Sequence, residues 1–226
     1  AAQAMIEAAE AGIQDITNKT EQPTGVLRLT VPAIMANSPI TGQFARFALT
    51  YPEVRITLDY SDLRRELIED GFDVAISIGG LKDSSFKAKK LMEIQRKLVA
   101  APAYLAAQKK VKYPKDLDGW DWLELAPVWN IKPMFVHGEK REVVSNRKSQ
   151  ISVNNAQALC QLARAGAGLA LIPDFLVEPD IESGELISVL DDWSLEALNV
   201  YAVWPANVPK EGLIMLFLKF LNDNID

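Results

Sequence analysis

Two stretches of this chain repeat one plan, and that plan restricts the fold more than any other feature. Leu27-Arg28-Leu29-Thr30-Val31-Pro32 leads to Asn37-Ser38, a helical pattern and the strand Val54–Tyr60. Ile151-Ser152-Val153 leads to Asn154-Asn155, a second helical pattern and Leu169-Ala170-Leu171-Ile172. Each is an apolar strand, a polar cap, a helix with apolar residues three and four apart, and a return strand. Strand, crossover helix and strand make a parallel βαβ unit. Two such units on separate sheets leave a crevice beyond the carboxyl ends of their strands, where small ligands bind in open α/β sheets.

The first helix starts with Pro39 in its first turn, capped at Asn37 or Ser38. Ile40, Phe44, Phe47, Ala48 and Tyr51 share a face, and Pro52 stops it. Val54, Ile56, Leu58 and Tyr60 alternate as in a strand. Ser61 opens a short helix through Leu63, Leu67 and Ile68 to Gly71. Phe72, Val74, Ile76 and Ile78 predict a third strand. Leu91–Ala101 reads as an extended crossover into a second lobe, and Pro102-Ala103-Tyr104-Leu105 starts a helix. Short strands are predicted around Trp122–Leu125 and Met134–Val136. Ala156, Leu159, Cys160 and Ala163 line the second unit's helix. Gly166-Ala167-Gly168 follows that helix and precedes a strand, so it reads as a C-terminal turn and not as a dinucleotide loop. Leu198–Trp204 reads as the return crossover, and Leu213, Leu216, Phe217, Phe220 and Leu221 as a buried last helix.

Ahead of these units, Ala2, Met5, Ile6, Ala9, Ile13 and Ile16 trace a narrow apolar seam. It suits packing on a partner helix or a surface helix on its own domain. Asn18–Gly25 reads as a linker. The first residue is Ala1, so the sequence reads as part of a longer chain.

The 226 residues are 49% hydrophobic and 24% charged, an ordinary globular balance. No apolar run approaches the about 18 residues of a membrane span. The net charge of −6 and the short basic clusters do not make the basic face that DNA phosphates require. A single cysteine, Cys160, excludes an intrachain disulfide and agrees with a reducing cytoplasm. His137 is the only histidine, and no Gly-x-Ser-x-Gly elbow or metal-ligand spacing accompanies it. These residues predict no enzyme, no catalytic residue, no cofactor and no metal.

Four stretches in register resemble the effector-binding domain of LysR-type transcriptional regulators. They are Gly25-Val26-Leu27-Arg28-Leu29-Thr30-Val31-Pro32; Tyr51-Pro52-Glu53-Val54 with Gly71-Phe72-Asp73-Val74-Ala75-Ile76; Lys97-Leu98-Val99-Ala100-Ala101-Pro102-Ala103-Tyr104-Leu105; and Ala165-Gly166-Ala167-Gly168-Leu169-Ala170-Leu171-Ile172-Pro173 with Gly184-Glu185-Leu186. The resemblance implies an α/β fold of two Rossmann-like lobes joined by two crossover strands, periplasmic-binding-protein-like (type 2). Residues 1–24 would be the end of the linker helix and its linker, 25–99 plus 205–226 lobe I, and 100–204 lobe II.

A small-molecule effector would bind between the lobes. Its expected contacts are Ala33, Ile34, Met35, Ala36, Asn37 and Ser38 on the first loop, and Ser77, Ile78 and Gly79 on the floor. Trp129 and the second loop, Val153, Asn154 and Asn155, complete the set. Ser77 stands where many similar chains carry Arg, which argues against a strongly anionic effector. Trp120 and Trp122 are expected in the core. The resemblance further implies a homodimer, a tetramer in the full-length protein, with Gln43, Ala45, Arg46, Gln157, Gln161 and Arg164 meeting a partner copy. DNA would be held only through a separate winged helix-turn-helix domain, in the cytoplasm and without a membrane. The competing expectation is a free-standing bilobal solute-binding protein.

Overall fold

The computed structural model describes residues 22–61, 70–79, 86–128, 132–209 and 212–225. The linker helix over 1–17, the short helix around Leu63 and Leu67, and Trp129 lie outside the described residues. The first lobe is built on a five-stranded sheet. Its strands are β1 (Gly25–Val31), β2 (Val54–Tyr60), β3 (Val74–Ile78), β4 (Phe86–Ile94) and β13 (Leu198–Pro205), ordered β2-β1-β3-β13-β4. β1 pairs parallel with β2 and β3, while β13 runs antiparallel to β3 and β4. β1, β2, β3 and β4 therefore all point the same way.

Helix α1 (Pro39–Thr50) joins β1 to β2 after a 3-10 turn over Ala33–Asn37. Proline at N1 supplies a helical φ and has no N–H to leave unpaired. Ser38, not Asn37, is the cap residue, and Asn37 closes the turn. Ile40, Phe44 and Phe47 are buried against β1 and the last helix (Leu213–Asn224). Asp73 locks the turn before β3, since its carboxylate accepts the Arg28 N–H at 2.7 Å and its own N–H donates back to the Arg28 carbonyl at 2.8 Å.

The second lobe contains β5 (Arg96–Ala100), α2 (Pro102–Ala106), β6 (Asp121–Leu125), β7 (Met134–His137), β8 (Lys140–Val143) and β9 (Lys148–Val153). It continues with α3 (Ala156–Arg164), β10 (Ala170–Pro173), α4 (Asp174–Ser183), β11 (Ile187–Ser188) and β12 (Ser194–Leu195); the last helix is α5. β5 lies between β10 and β11, β6 pairs parallel with β9, and a parallel bridge from Trp122 to Leu169 joins the two sets. β7, β8 and β12 form a separate small sheet. Val99 faces one core with α3, and its neighbours Leu98 and Ala100 face another with Trp122 and Phe135. This is the period-two burial of a strand covered on both faces.

Strand pairing adds detail at the two expected crossovers. The segment 91–101 is two strands broken at Gln95, one in each lobe. Leu198–Pro205 belongs wholly to the lobe I sheet. The expected boundaries at 99/100 and 204/205 fall inside the strands Arg96–Ala100 and Leu198–Pro205. Alternation in sequence shows that a strand is half-buried but not which sheet it joins. Helix α4 was not expected: it begins directly after Pro173 and carries Pro179 in its interior.

Candidate functional site between the lobes

Strand direction places a crevice. In lobe I the carboxyl ends of β1, β3 and β4 share one end of the sheet, from which the chain leaves at Gln95. In lobe II β6, β9 and β10 run together, antiparallel to β5, so their carboxyl ends lie where β5 begins. The carboxyl ends of both lobes therefore face the crossovers, the arrangement in which open α/β sheets bind ligands.

The first of the loops expected at these ends comes close to lobe II. The 3-10 turn over Ala33–Asn37 has Cα atoms within 8 Å of α3. Ile34 is half-buried and packs against the cores of both lobes. Ala33 and Ala36 are also half-buried and Asn37 is exposed. Met35 is fully buried in lobe I. The Ser38 hydroxyl donates to the Met35 carbonyl at 2.7 Å, so it serves the turn. Ser77, Ile78 and Gly79 are half-buried at the end of β3, and the Gly79 N–H donates to the Asn199 carbonyl of β13 at 2.9 Å. Val153 packs on the lobe II core, and Asn154 is exposed.

Asn155 caps α3: its side-chain oxygen accepts the Ala158 N–H at 3.0 Å. Asn154, also read as a cap from sequence, is not one. Asn155→Ala is accordingly expected to lower stability by about 1 kcal/mol, and Asn154→Ala to leave it unchanged; urea unfolding of the two variants checks this. The thiol of Cys160, on the inner face of α3, is pushed up to about 11 by burial, with Arg164 opposing. It has almost no thiolate at neutral pH and packs as a small apolar group.

Sequence reading missed several groups at the crossover. Phe175, at the start of α4 in lobe II, packs against the lobe I core. The Asp174 N–H donates to the Gln95 carbonyl at 3.1 Å, tying α4 to the first crossover. Arg96 donates from Nη2 to the Glu196 carbonyl on the return crossover at 2.9 Å. The Leu-Ile-Pro run before Asp174 was the available signal for the first two; Arg96 had none. Beside the crossovers lies a cavity of about 520 Å3 lined by residues such as Gln95, Lys97, His137, Glu178 and Trp193. None of the expected effector contacts lines it. His137 there has its Nδ1 2.6 Å from the Asp192 carbonyl and its ring 5.4 Å from that of Trp193.

The residues expected at a partner copy divide. Ala45, Arg46, Gln157 and Gln161 are exposed. Gln43 donates to the Asn224 carbonyl at 2.7 Å, and Arg164 holds the buried Asp180 at 2.7 Å. Those two side chains are engaged within the chain. Leu49 on α1 is 83% exposed and was not singled out in sequence.

A family model described as the LysR substrate binding domain matches residues 20–226. The chain is 29% identical over 227 residues to the HTH-type transcriptional regulator PtxR of Pseudomonas aeruginosa, covering 99% of this chain and 72% of that protein. It is 29% identical over 184 residues to the HTH-type transcriptional activator AaeR of Escherichia coli, covering 80% of this chain and 59% of that one. Among solved structures, the regulatory domain of CrgA, a LysR-type regulator from Neisseria meningitidis, matches with a TM-score of 0.74 at 25% identity, covering 90% of this chain and all of that one. Full-length AphB of Vibrio cholerae matches in fold, with a TM-score of 0.74 at 24% identity over 99% of this chain and 77% of that one. The type 2 periplasmic-binding-protein-like fold, the two parallel units and these matches agree: the chain belongs to the LysR substrate-binding domain family and is the effector-binding domain of a transcriptional regulator.

Proposed function

We propose that this domain binds a small effector in the crevice between its lobes and converts that binding into a change in lobe geometry. The supporting observation is that the lobes meet beside their crossovers. Ile34 of lobe I touches both cores, Phe175 of lobe II packs on the lobe I core, and the chain crosses between the lobes near Gln95 and 196–197. A ligand contacting the first loop, the end of β3 and the start of α3 bridges both lobes. Its differential affinity for closed and open states sets their populations. Ala33, Ile34, Ala36, Asn37, Ser77, Ile78, Gly79, Val153 and Asn154 are the contacts this reading favours, and Trp129, outside the described residues, stays an expected contact from sequence alone. Met35 and Ser38 support the turn. A thermal-shift screen of small metabolites tests it: a ligand at about one hundred times its Kd adds about 2.7 kcal/mol of apparent stability.

The signal would pass through a homodimer, assembled into a tetramer in the full-length regulator, to a DNA-binding domain outside this chain. α1 of one copy packing on α3 of another suits the exposed Ala45, Leu49, Gln157 and Gln161. Ala45→Glu is expected to shift a micromolar sample toward monomer in sedimentation velocity while its melting stays cooperative. An unchanged distribution would place the interface elsewhere. On this reading the domain performs no catalysis and acts in the cytoplasm, where regulators of transcription meet DNA. No helix among the described residues is long and apolar enough to cross a membrane. A free-standing solute-binding protein is the weaker reading, because the curated relatives named above are transcriptional regulators.

A further inference from the structure

We infer that the cavity beside the crossovers is a second ligand site, distinct from the crevice, and that it takes a small organic cation with two amino groups. Its volume of about 520 Å3 lies within the range of about 300–1,000 Å3 usual for small-molecule sites. Three walls meet on the first residues of β5. The Asp174 N–H donates to the Gln95 carbonyl at 3.1 Å, which sets the start of α4 there. The Val189 N–H donates to the Leu98 carbonyl at 2.8 Å, which sets the turn that leads to Trp193. His137 Nδ1 lies 2.6 Å from the Asp192 carbonyl, which joins the end of β7 to the same turn. A carbonyl only accepts, so Nδ1 carries the proton and Nε2 of the neutral ring is left as an acceptor.

The walls carry acceptors in excess. α4 contributes Asp174 and Glu178, one helical turn apart and so on one face. The turn contributes Asp191 and Asp192. Among the described residues none of these four carboxylates has an ion pair. The two cations of the lining do not neutralise them: Arg96 gives Nη2 to the Glu196 carbonyl at 2.9 Å, and Lys97 pairs with none of the four. Among the described residues no three of the acidic and histidine groups converge as a metal ion requires. The carboxylates are spread over two elements and suit a cation with two separated charges. The rings of His137 and Trp193, 5.4 Å apart, face the same cavity. A linear diamine matches this wall, with an ammonium for the carboxylates of each element and its methylene chain against the rings. Such a ligand bears on both crossovers, because Gln95 belongs to the first and Leu195 directly precedes the second.

The test uses the whole domain at fixed ionic strength, with 1,4-diaminobutane as the probe and butylamine, 1,4-butanediol and magnesium chloride as controls. Binding is read by calorimetric titration and thermal shift. The diamine is expected to bind and to raise the melting temperature, butylamine to bind about tenfold more weakly, and the diol not to bind. Glu178 and Asp191 are exposed, so Glu178→Gln and Asp191→Asn should melt as the parent does, and each should weaken diamine binding about tenfold. Hydrogen–deuterium exchange should slow with the diamine at Gln95–Leu98 and Ser188–Leu195. Ala36→Trp, which fills the crevice, should leave diamine binding unchanged. Because amines address this cavity, the compound that reports on the crevice is sought among non-amines. Absence of diamine binding, a thermal shift that magnesium chloride reproduces, binding undiminished in both carboxylate variants, or binding lost in Ala36→Trp would each overturn the assignment.

Discussion

Phe217→Ala is expected to lower the unfolding free energy by about 3–5 kcal/mol, the range for removing a buried aromatic from a packed core. Phe217 is fully buried at the centre of lobe I. Its ring lies 5.0 Å from Phe47 at 88° and 5.9 Å from Phe44, so it locks α5 onto α1. Edge-to-face contacts of this kind add about 0.5–1.5 kcal/mol each to burial. The helix being locked is the one that sets the position of the first loop at the crevice. Chemical denaturation should therefore show a lower midpoint at unchanged slope, with any loss of ligand binding following the loss of folded protein. A change below about 1 kcal/mol would mean that the core relaxes into the space, contrary to the packing described.

Gly168→Ala is expected to be comparably damaging for a different reason. Gly168 has φ +147, a conformation that L residues avoid. A Cβ there would stand 2.6 Å from the Asp121 carbonyl oxygen. That oxygen accepts the Leu169 N–H at 2.9 Å, the bond that joins β6 to the start of β10. Strain of about 1–3 kcal/mol adds to overpacking of about 1–3 kcal/mol, and the only relief is to part the two strands. Because both end at the crevice, the variant should lose ligand response as well as stability. Gly166, also left-handed at φ +82, ends α3 with open space around it. Gly166→Ala should therefore carry only the conformational part of the cost. Thermal melts of the two variants separate them, and equal losses would refute the close approach at Gly168.

The elements that sequence made legible are those whose burial has a period. Ile40, Phe44 and Phe47 on α1, and Ala156, Leu159, Cys160 and Ala163 on α3, are buried as their spacing indicates. The short strands β6 and β7 lie where Trp122–Leu125 and Met134–Val136 placed them. The paired strand–helix–strand units gave the fold class, because parallel strands need a crossover. The sheet membership of Leu198–Pro205 was not legible. It depends on pairing with Val74–Ile78 and Phe86–Ile94, more than a hundred residues away in sequence, and local alternation carries no information about partners. Helix α4 escaped because Pro179 interrupts its pattern and few of its residues are buried.

The crevice loops could be named because the carboxyl ends of parallel strands are fixed by topology. What the individual side chains do there could not be. Asn37 and Ser38 looked equivalent, as did Asn154 and Asn155, yet one of each pair turns inward or caps and the other faces out. Arg96 in sequence is one charge opening an apolar strand. Its tie to the return crossover comes from the Glu196 carbonyl, distant in sequence.

The central claim is that a small ligand is held between the lobes by loops from both. Hydrogen–deuterium exchange on the domain, with and without a compound found by thermal shift, measures this most directly. Ligand-induced protection is predicted over Ala33–Ser38, Ser77–Gly79 and Val153–Asn155 together, with slower exchange at the Gln95 and Glu196 crossovers. Protection confined to the cavity around His137 and Trp193, or to one lobe alone, would contradict it.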